Sequence, residues 1–283
     1  LNRAVIKRWA ARIWLLLLVG FLVLALKSQK LSFEYIAEHI SLKIFVLSLA
    51  LIVAGKILVI LLVRSVLRSS GEDRGLAFAW YAYSRADIAK YIPGGIWGLT
   101  SRLAIYRTAG IGLAKGGKLL LAETGILIVA SFGSGTFFVA VSEFSPVASA
   151  ACGLAAALFI YAFSKLVVPM ARKQDAAFIT LQQFLAWILF GLSYAVVVPD
   201  AQAFWAQLAG IFNVGFAAGT LAIFAPSGIG VRELVVGFLA SRTGDLSIQN
   251  LIELSLLHRA VWIVADLLVF VPTLLRPHAV PEK

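Results

Sequence analysis

Charge is scarce in this sequence, and negative charge is scarcer still. Charged residues make up 14% of the chain, and Asp and Glu number 14 against 25 Lys and Arg. A soluble domain carries about 25% charged and roughly 45–50% apolar residues. Here 61% of the residues are hydrophobic, which excludes an ordinary soluble domain and leaves an integral membrane protein. Cysteine is nearly absent. Cys152 stands alone in an Ala-rich run, so no intrachain disulfide can form and the residue reads as small packing. Three separated histidines give no metal-ligand spacing. No paired-Asp motif or nucleotide-binding Gly-rich loop occurs. No metal, no other cofactor and no catalytic residue is therefore expected. No Ser/Gly linker marks a second domain, so residues 1–283 read as a single transmembrane domain.

The excess of base is the next feature. A net charge of +11 on a soluble protein would suggest nucleic acid. Here the Lys and Arg residues cluster between apolar runs, and no nucleic-acid recognition motif accompanies them. The pattern suits the positive-inside bias and contact with anionic headgroups instead. A spanning helix needs about 20 mostly apolar residues. Candidate spans are Trp9 to Leu26, Leu42 to Val63, Leu119 to Val141, Val147 to Met170, Ala176 to Val198, Phe204 to Ala225 and Leu251 to Leu275. The first looks like a signal peptide but lacks a clean cleavage site, and reads as an uncleaved span. The fold class expected is an all-α polytopic integral membrane protein with about seven to eight transmembrane helices. Arg3, Lys7, Arg8 and Arg12 precede the first span, and Arg64, Arg68 and Arg74 follow the second. The loops near Glu143 and Asp200 carry no such charge. This places the N-terminus in the cytoplasm of a multi-pass inner-membrane protein.

Two stretches break the apolar pattern. In "KYIPGGIWGLTSRLAIYR", Lys90 to Arg107, Pro93 disfavours helix at Ile92 and removes a backbone donor. Gly94 and Gly95 permit a sharp turn. Basic segments flank both ends, so residues 76–107 read as a re-entrant helical hairpin, with a kinked spanning helix as the alternative. "APSGIGVRELVVGF" repeats the grammar at Pro226, Gly228, Arg232 and Glu233, which makes 226–241 a second re-entrant candidate. The match of Pro93-Gly94-Gly95-Ile96 with Pro226-Ser227-Gly228-Ile229 leaves open an inverted repeat, the arrangement in which broken segments build a transporter's central site. A helix starting near Gly230 would present free amides to an anion, with Arg232 as a forked cation.

On these two motifs the sequence resembles the transmembrane, flippase-type region of the lysylphosphatidylglycerol synthetase family. The first motif stands here as Lys90-Tyr91-Ile92-Pro93-Gly94-Gly95-Ile96-Trp97, with Arg102 after it. The second runs from Pro226 to Glu233, and Arg259 fits an Arg that recurs in the family's final helix. The resemblance implies a helical domain with re-entrant segments that moves lipids, or lipid-linked groups, between leaflets. Bifunctional members continue into a soluble aminoacyl-transferase domain, whereas this sequence ends at Lys283. The expectation is therefore a stand-alone membrane domain without synthase activity. Asp266 has no counterpart in the family pattern.

Ionisable residues inside spans normally face a cavity or a partner, because each costs about 2.5–3.5 kcal/mol at the membrane centre. Arg259 and Asp266 lie seven residues apart, close to two helical turns, and so share a face. Glu123 sits either at the cytoplasmic edge beside Lys118 or in an interior site. Lys56 is expected to snorkel to the interface, and His258 to track interface polarity. Trp9, Trp14, Trp80, Trp187, Trp205 and Trp262 are expected at interfaces or facing lipid, while Trp97 belongs to the first motif. The small-residue runs Ala148 to Ala157 and Gly215 to Thr220 suit internal packing, or else a homodimer face.

The function expected is a flippase-like translocator of a membrane phospholipid or polyprenyl-linked lipid. Its phosphate would be held by Arg102, Arg232 and Arg259 in a cavity between the broken segments. Lys90 would attract the lipid, and Glu123, Glu233 and Asp266 would balance the charge. Two alternatives stand beside it: a membrane enzyme acting on a lipid-linked sugar or phosphate, and a non-catalytic partner of an envelope-lipid pathway.

Overall fold

Lipid offers backbone amides no hydrogen-bond partners, so apolar runs of this length close their bonds internally as helices. The structure, a computed structural model, describes residues 41–91, 96–198, 204–222, 231–240 and 248–275. The chain divides into two units, Leu1–Ser41 and Leu42–Lys283, and every helix described here belongs to the second. In order these are α1 (Leu42–Ser69), α2 (Gly75–Ala89), α3 (Trp97–Thr108), α4 (Leu113–Glu143), α5 (Pro146–Val167), α6 (Lys173–Ala195), α7 (Trp205–Leu221), α8 (Val231–Ala240), α9 (Ile248–Phe270) and the single turn α10 (Pro272–Leu275). No strand occurs among the described residues.

Among the described residues, five stretches are long and apolar enough to cross a membrane: α1, α4, α5, α6 and Leu257–Leu274. The chain is thus a multi-pass membrane protein. The sequence-predicted span Trp9 to Leu26 lies outside the described residues. The predicted span Phe204 to Ala225 appears as α7, whose 17 residues stand at the lower end of the roughly 17–25 that a crossing takes.

Helix α6 is the hub. It packs on α1, α4, α5 and α7, while α9 packs on α1, α2 and α8. Its buried face carries Trp187, Phe190 and Tyr194 at helical spacing. Trp187 meets Phe216 of α7 with ring centroids 4.6 Å apart, and Phe190 meets Trp262 of α9 at 4.7 Å. Trp187 and Trp262 therefore sit in the core, not at an interface or facing lipid as expected. Their rings fill the space where three helices converge, which a lipid-facing position would leave empty. Small residues let neighbouring helices close up. A Cβ on Gly133 would stand 3.3 Å from Ala156 Cβ, and one on Gly215 would stand 2.7 Å from Val236 Cγ2. The small-residue positions Ala156 and Gly215 are thus used for internal packing.

The first broken segment falls between two short helices. α2 has 15 residues and α3 has 12, about 22 and 18 Å at the α-helical rise. They pack on one another. Gly98 marks the closest approach, since a Cβ there would stand 3.1 Å from the Ala86 carbonyl oxygen. Lys115, just after α3, bonds Glu72, just before α2, at 2.7 Å. That hydrogen bond, helped by Arg74, holds the Glu72 carboxyl below the usual carboxylate range. Gly110 then ends α3 at φ 84°, and Ile111 N donates to Tyr106 O at 3.0 Å. This left-handed turn sends α4 back alongside α3.

Candidate functional site

The apolar interior of this bundle holds a ring of four charges. Lys56 comes from α1, Asp87 from α2, Lys90 from the turn after α2, and Asp266 from α9. Lys56 Nζ donates to Asp87 Oδ2 at 2.9 Å and is ion-paired to Asp266. Lys90 Nζ lies 2.7 Å from Asp87 Oδ1 and 3.0 Å from Asp266 Oδ2. Tyr91 donates its hydroxyl to Asp266 Oδ2 at 2.5 Å. Cations and carboxylates alternate, so the four formal charges cancel.

Lys56 is fully buried, at 0% exposure. It does not snorkel as expected. Arg64 stands 8 residues after Lys56, about 12 Å along α1, beyond the reach of a lysine stem. Two carboxylates come to it instead. The ring is not equally closed all round. Asp266 is 2% exposed, whereas the Lys90 side chain keeps 26%. The open side of the ring is therefore at Lys90, the residue from which the chain enters segment 92–95.

A second charged pair lies on the α3–α4 hairpin. Arg102 and Tyr106, one turn apart on α3, both face Glu123 on α4. Arg102 Nη1 donates to Glu123 Oε2 at 2.6 Å, and the Tyr106 hydroxyl donates to Oε1 at 2.6 Å. Of the two readings for Glu123, the interior one is correct. Glu123→Gln keeps an acceptor for Tyr106 but takes the anion from Arg102. Charge-assisted hydrogen bonds contribute about 1.5–3 kcal/mol, and a loss of that size is expected in SDS-driven unfolding from mixed micelles.

Aromatic rings connect these charges to a third cation. Tyr83 takes Lys56 on its ring at 5.8 Å and Arg102 at 5.3 Å. Trp262 takes Lys56 at 4.7 Å and Arg232 at 5.5 Å. The order is Arg102, Tyr83, Lys56, Trp262, Arg232, with each cation within the roughly 6 Å range of cation–π attraction. Arg232, on α8, is 8% exposed and also lies 4.2 Å from the Phe212 ring centroid and 5.1 Å from that of Phe216. His258 lies in the same cluster, its Nε2 2.9 Å from Ser193 Oγ. It is fully buried and so departs from the interface position expected. Ser255, His258, Trp262 and Asp266 recur at intervals of three and four on α9, forming one buried face.

No protein-family model, curated protein or solved structure matches this chain.

Of the sequence-predicted site residues, Lys90 and Asp266 meet in the ring, and Arg102 and Glu123 meet in the second pair. Arg232 is linked to the ring through Trp262, which also carries Lys56. Arg259 is half-buried on the neighbouring face of α9 and acts electrostatically on Tyr91. Trp97 opens α3 and stays 46% exposed. Pro93, Gly94, Gly95, Pro226 and Gly228 lie outside the described residues, as does the side chain of Glu233. The sequence reading missed Asp87, Tyr83, Tyr106 and the pairing of Lys56. Asp87 had a local signal, three residues before Lys90 on a helix.

Chemically, the ring is a neutral, pre-assembled set of ammonium and carboxylate groups. An anion arriving at Lys90 competes with Asp87 and Asp266 for the ammonium. Among the described residues, no three His, Cys, Asp or Glu side chains converge as a metal site would require.

Proposed function

We propose that the protein is a flippase-like translocator, moving a lipid or lipid-linked substrate with a phosphate-bearing headgroup between leaflets. The observation that carries this reading is the charge ring inside the apolar helix bundle, open at Lys90, the residue from which the chain enters the Pro-Gly-Gly segment. Ionisable groups within spanning segments are rare and tend to mark a substrate path. Broken helices at the midplane are the usual builders of such paths.

On this reading α2 and α3 form the re-entrant hairpin. Their packing and the Lys115–Glu72 bond, which ties both open ends together, support it. Segment 226–241 supplies the second broken element and brings Arg232. The resemblance to the flippase-type region of lysylphosphatidylglycerol synthetases supports the same function. The Lys/Arg pattern supports a cytoplasmic N-terminus in the inner membrane.

The headgroup phosphate replaces a carboxylate on Lys90, and the freed carboxylate stays neutralised by Lys56. The acyl chains remain in the bilayer. Two access states are required, one for each leaflet.

The test is leaflet exchange of labelled anionic, zwitterionic and polyprenyl-phosphate lipids in proteoliposomes. Lys90→Gln keeps the Lys56–Asp87 pair and is expected to slow exchange by about tenfold or more, as loss of a charge-assisted contact implies. Monodispersity in gel filtration checks the fold. Exchange no faster than in protein-free vesicles, or an unaffected Lys90→Gln variant, overturns the reading.

A further inference from the structure

A second polar feature lies apart from the ring, between α1 and α6. It is a small, partly open cleft lined by Leu61, Arg64, Ser65, Arg68, Phe178 and Gln182. Arg64 stands 22 residues after Leu42, about 33 Å along α1. That is close to the thickness of a bilayer's hydrocarbon core. The cleft thus sits at the basic end of the bundle, at headgroup level. Gln182, nine residues into α6, forms its floor about 14 Å below that helix's start.

Two polar side chains of this cleft, Gln182 and Arg64, have buried atoms without partners among the described residues. Gln182 is 3% exposed, yet neither its Nε2 nor its Oε1 has a hydrogen-bond partner among the described residues. The buried Nε of Arg64 has none either. Buried polar groups are almost always satisfied, and an unmet buried amide costs about 1–3 kcal/mol. Arg68 already holds Asp175 at 2.8 Å. Arg64 is then the cation of the cleft with no carboxylate on it among the described residues. Phe178, Leu181 and Leu185 form an exposed apolar stripe on α6, and Ile57 is exposed on α1 one turn from Leu61. Of these, Leu185 and Ile57 lie deeper than Gln182 and Arg64.

The geometry points to a binding site for the headgroup of an anionic phospholipid, with its phosphodiester on Arg64 and Gln182 and an acyl chain along Leu185 and Ile57. The guanidinium fork and the amide Nε2 donate to phosphate oxygens. Gln182 Oε1 accepts from a headgroup hydroxyl. The site shares no residue with the charge ring, so this inference stands independently of the translocation reading.

The test uses the full chain purified in mild detergent, with retained lipid read by native mass spectrometry. Phosphatidylglycerol, phosphatidylcholine and inorganic phosphate are the probes. Phosphatidylglycerol is expected to be retained about tenfold better than phosphatidylcholine, as a charged bidentate contact implies. Arg64→Gln and Gln182→Leu remove that preference. Arg64→Lys, which keeps the charge but loses the fork, retains part of it and serves if Arg64→Gln aggregates. Arg107→Gln, at an exposed cation elsewhere, leaves it unchanged. The inference is overturned if the Arg64 and Gln182 variants keep the preference, or if Arg107→Gln weakens it as much. It is also overturned if inorganic phosphate binds through Arg64 while no lipid is retained, which would make the ligand free phosphate.

Discussion

Asp266→Asn is expected to lower the unfolding free energy by about 3–5 kcal/mol, the cost of leaving one partner of a buried ion pair uncompensated. Asp266 contacts Lys56, Lys90 and Tyr91 at once. With its charge gone, two ammonium groups share Asp87. Lys56 has no route to water, since α1 encloses it on both sides along its length. Steric trapping in bicelles measures the loss directly. The informative companion is the double variant Lys56→Met with Asp266→Leu. It removes one cation and one anion together and leaves the Asp87–Lys90 pair neutral. Replacing a whole buried pair by apolar groups of similar volume is often neutral or stabilising by about 1–4 kcal/mol. The double variant is therefore expected to recover most of the stability lost in Asp266→Asn. If it also fails to exchange lipid, the ring is retained for function and not for folding. If Asp266→Asn is as stable as the unchanged protein, the ring is not the closed pairing described above.

Gly210→Leu is the second large effect, and it acts by volume alone. α7 crosses α4 at Gly210 and Gly135. A Cβ at Gly210 would stand 2.9 Å from the Gly135 carbonyl oxygen, and one at Gly135 would stand 3.1 Å from the Gly210 carbonyl oxygen. The obstacle in each direction is backbone, which cannot rotate away as a side chain can. A leucine must push the two helices apart. Overpacking typically costs about 1–3 kcal/mol, and the top of that range is expected here. The displacement also disturbs the hydrogen bonds across this crossing, where Ser131 Oγ donates to Asn213 O at 2.6 Å and Asn213 Nδ2 donates to Trp187 O at 2.9 Å. The reduced midpoint should appear in thermal unfolding in detergent. Gly117, where a Cβ would meet nothing within 4 Å, is the control site, and Gly117→Leu should leave the midpoint unchanged.

Hydropathy alone located most of the helices, because spans of this composition have one solution in lipid. α4, α5 and α6 match their predicted ranges to within a turn or two at each end. α2 ends at Ala89 and α3 starts at Trp97, on the two sides of the segment that Pro93, Gly94 and Gly95 marked in the sequence. Side-chain pairing was not legible. Lys56 and Asp87 lie 31 residues apart, and Tyr91 and Asp266 lie 175 apart. Nothing local to either residue states which helix will face it. Snorkelling was the wrong expectation for Lys56 because carboxylates on α2 and α9, remote in sequence, meet its ammonium inside the bundle. Trp262 misled in a different way. Tryptophan is common at membrane interfaces, and only the face it shares with His258 and Asp266 placed it inside. That spacing of four was readable, although its meaning depended on partners from α1, α7 and α8.

Trp262 also has a consequence for movement. One indole serves Lys56 from α1 and Arg232 from α8, and the phenol of Tyr83 serves Lys56 and Arg102 in the same manner. Each ring is a shared bearing between two shafts. If α8 withdraws, Arg232 leaves the indole, and Lys56 is left with a ring free to turn. If the α3 hairpin shifts, Arg102 releases the phenol on the other side of the same lysine. α3 and α8 are thus linked through Tyr83, Lys56 and Trp262, with a single ammonium group at the middle of the chain of contacts.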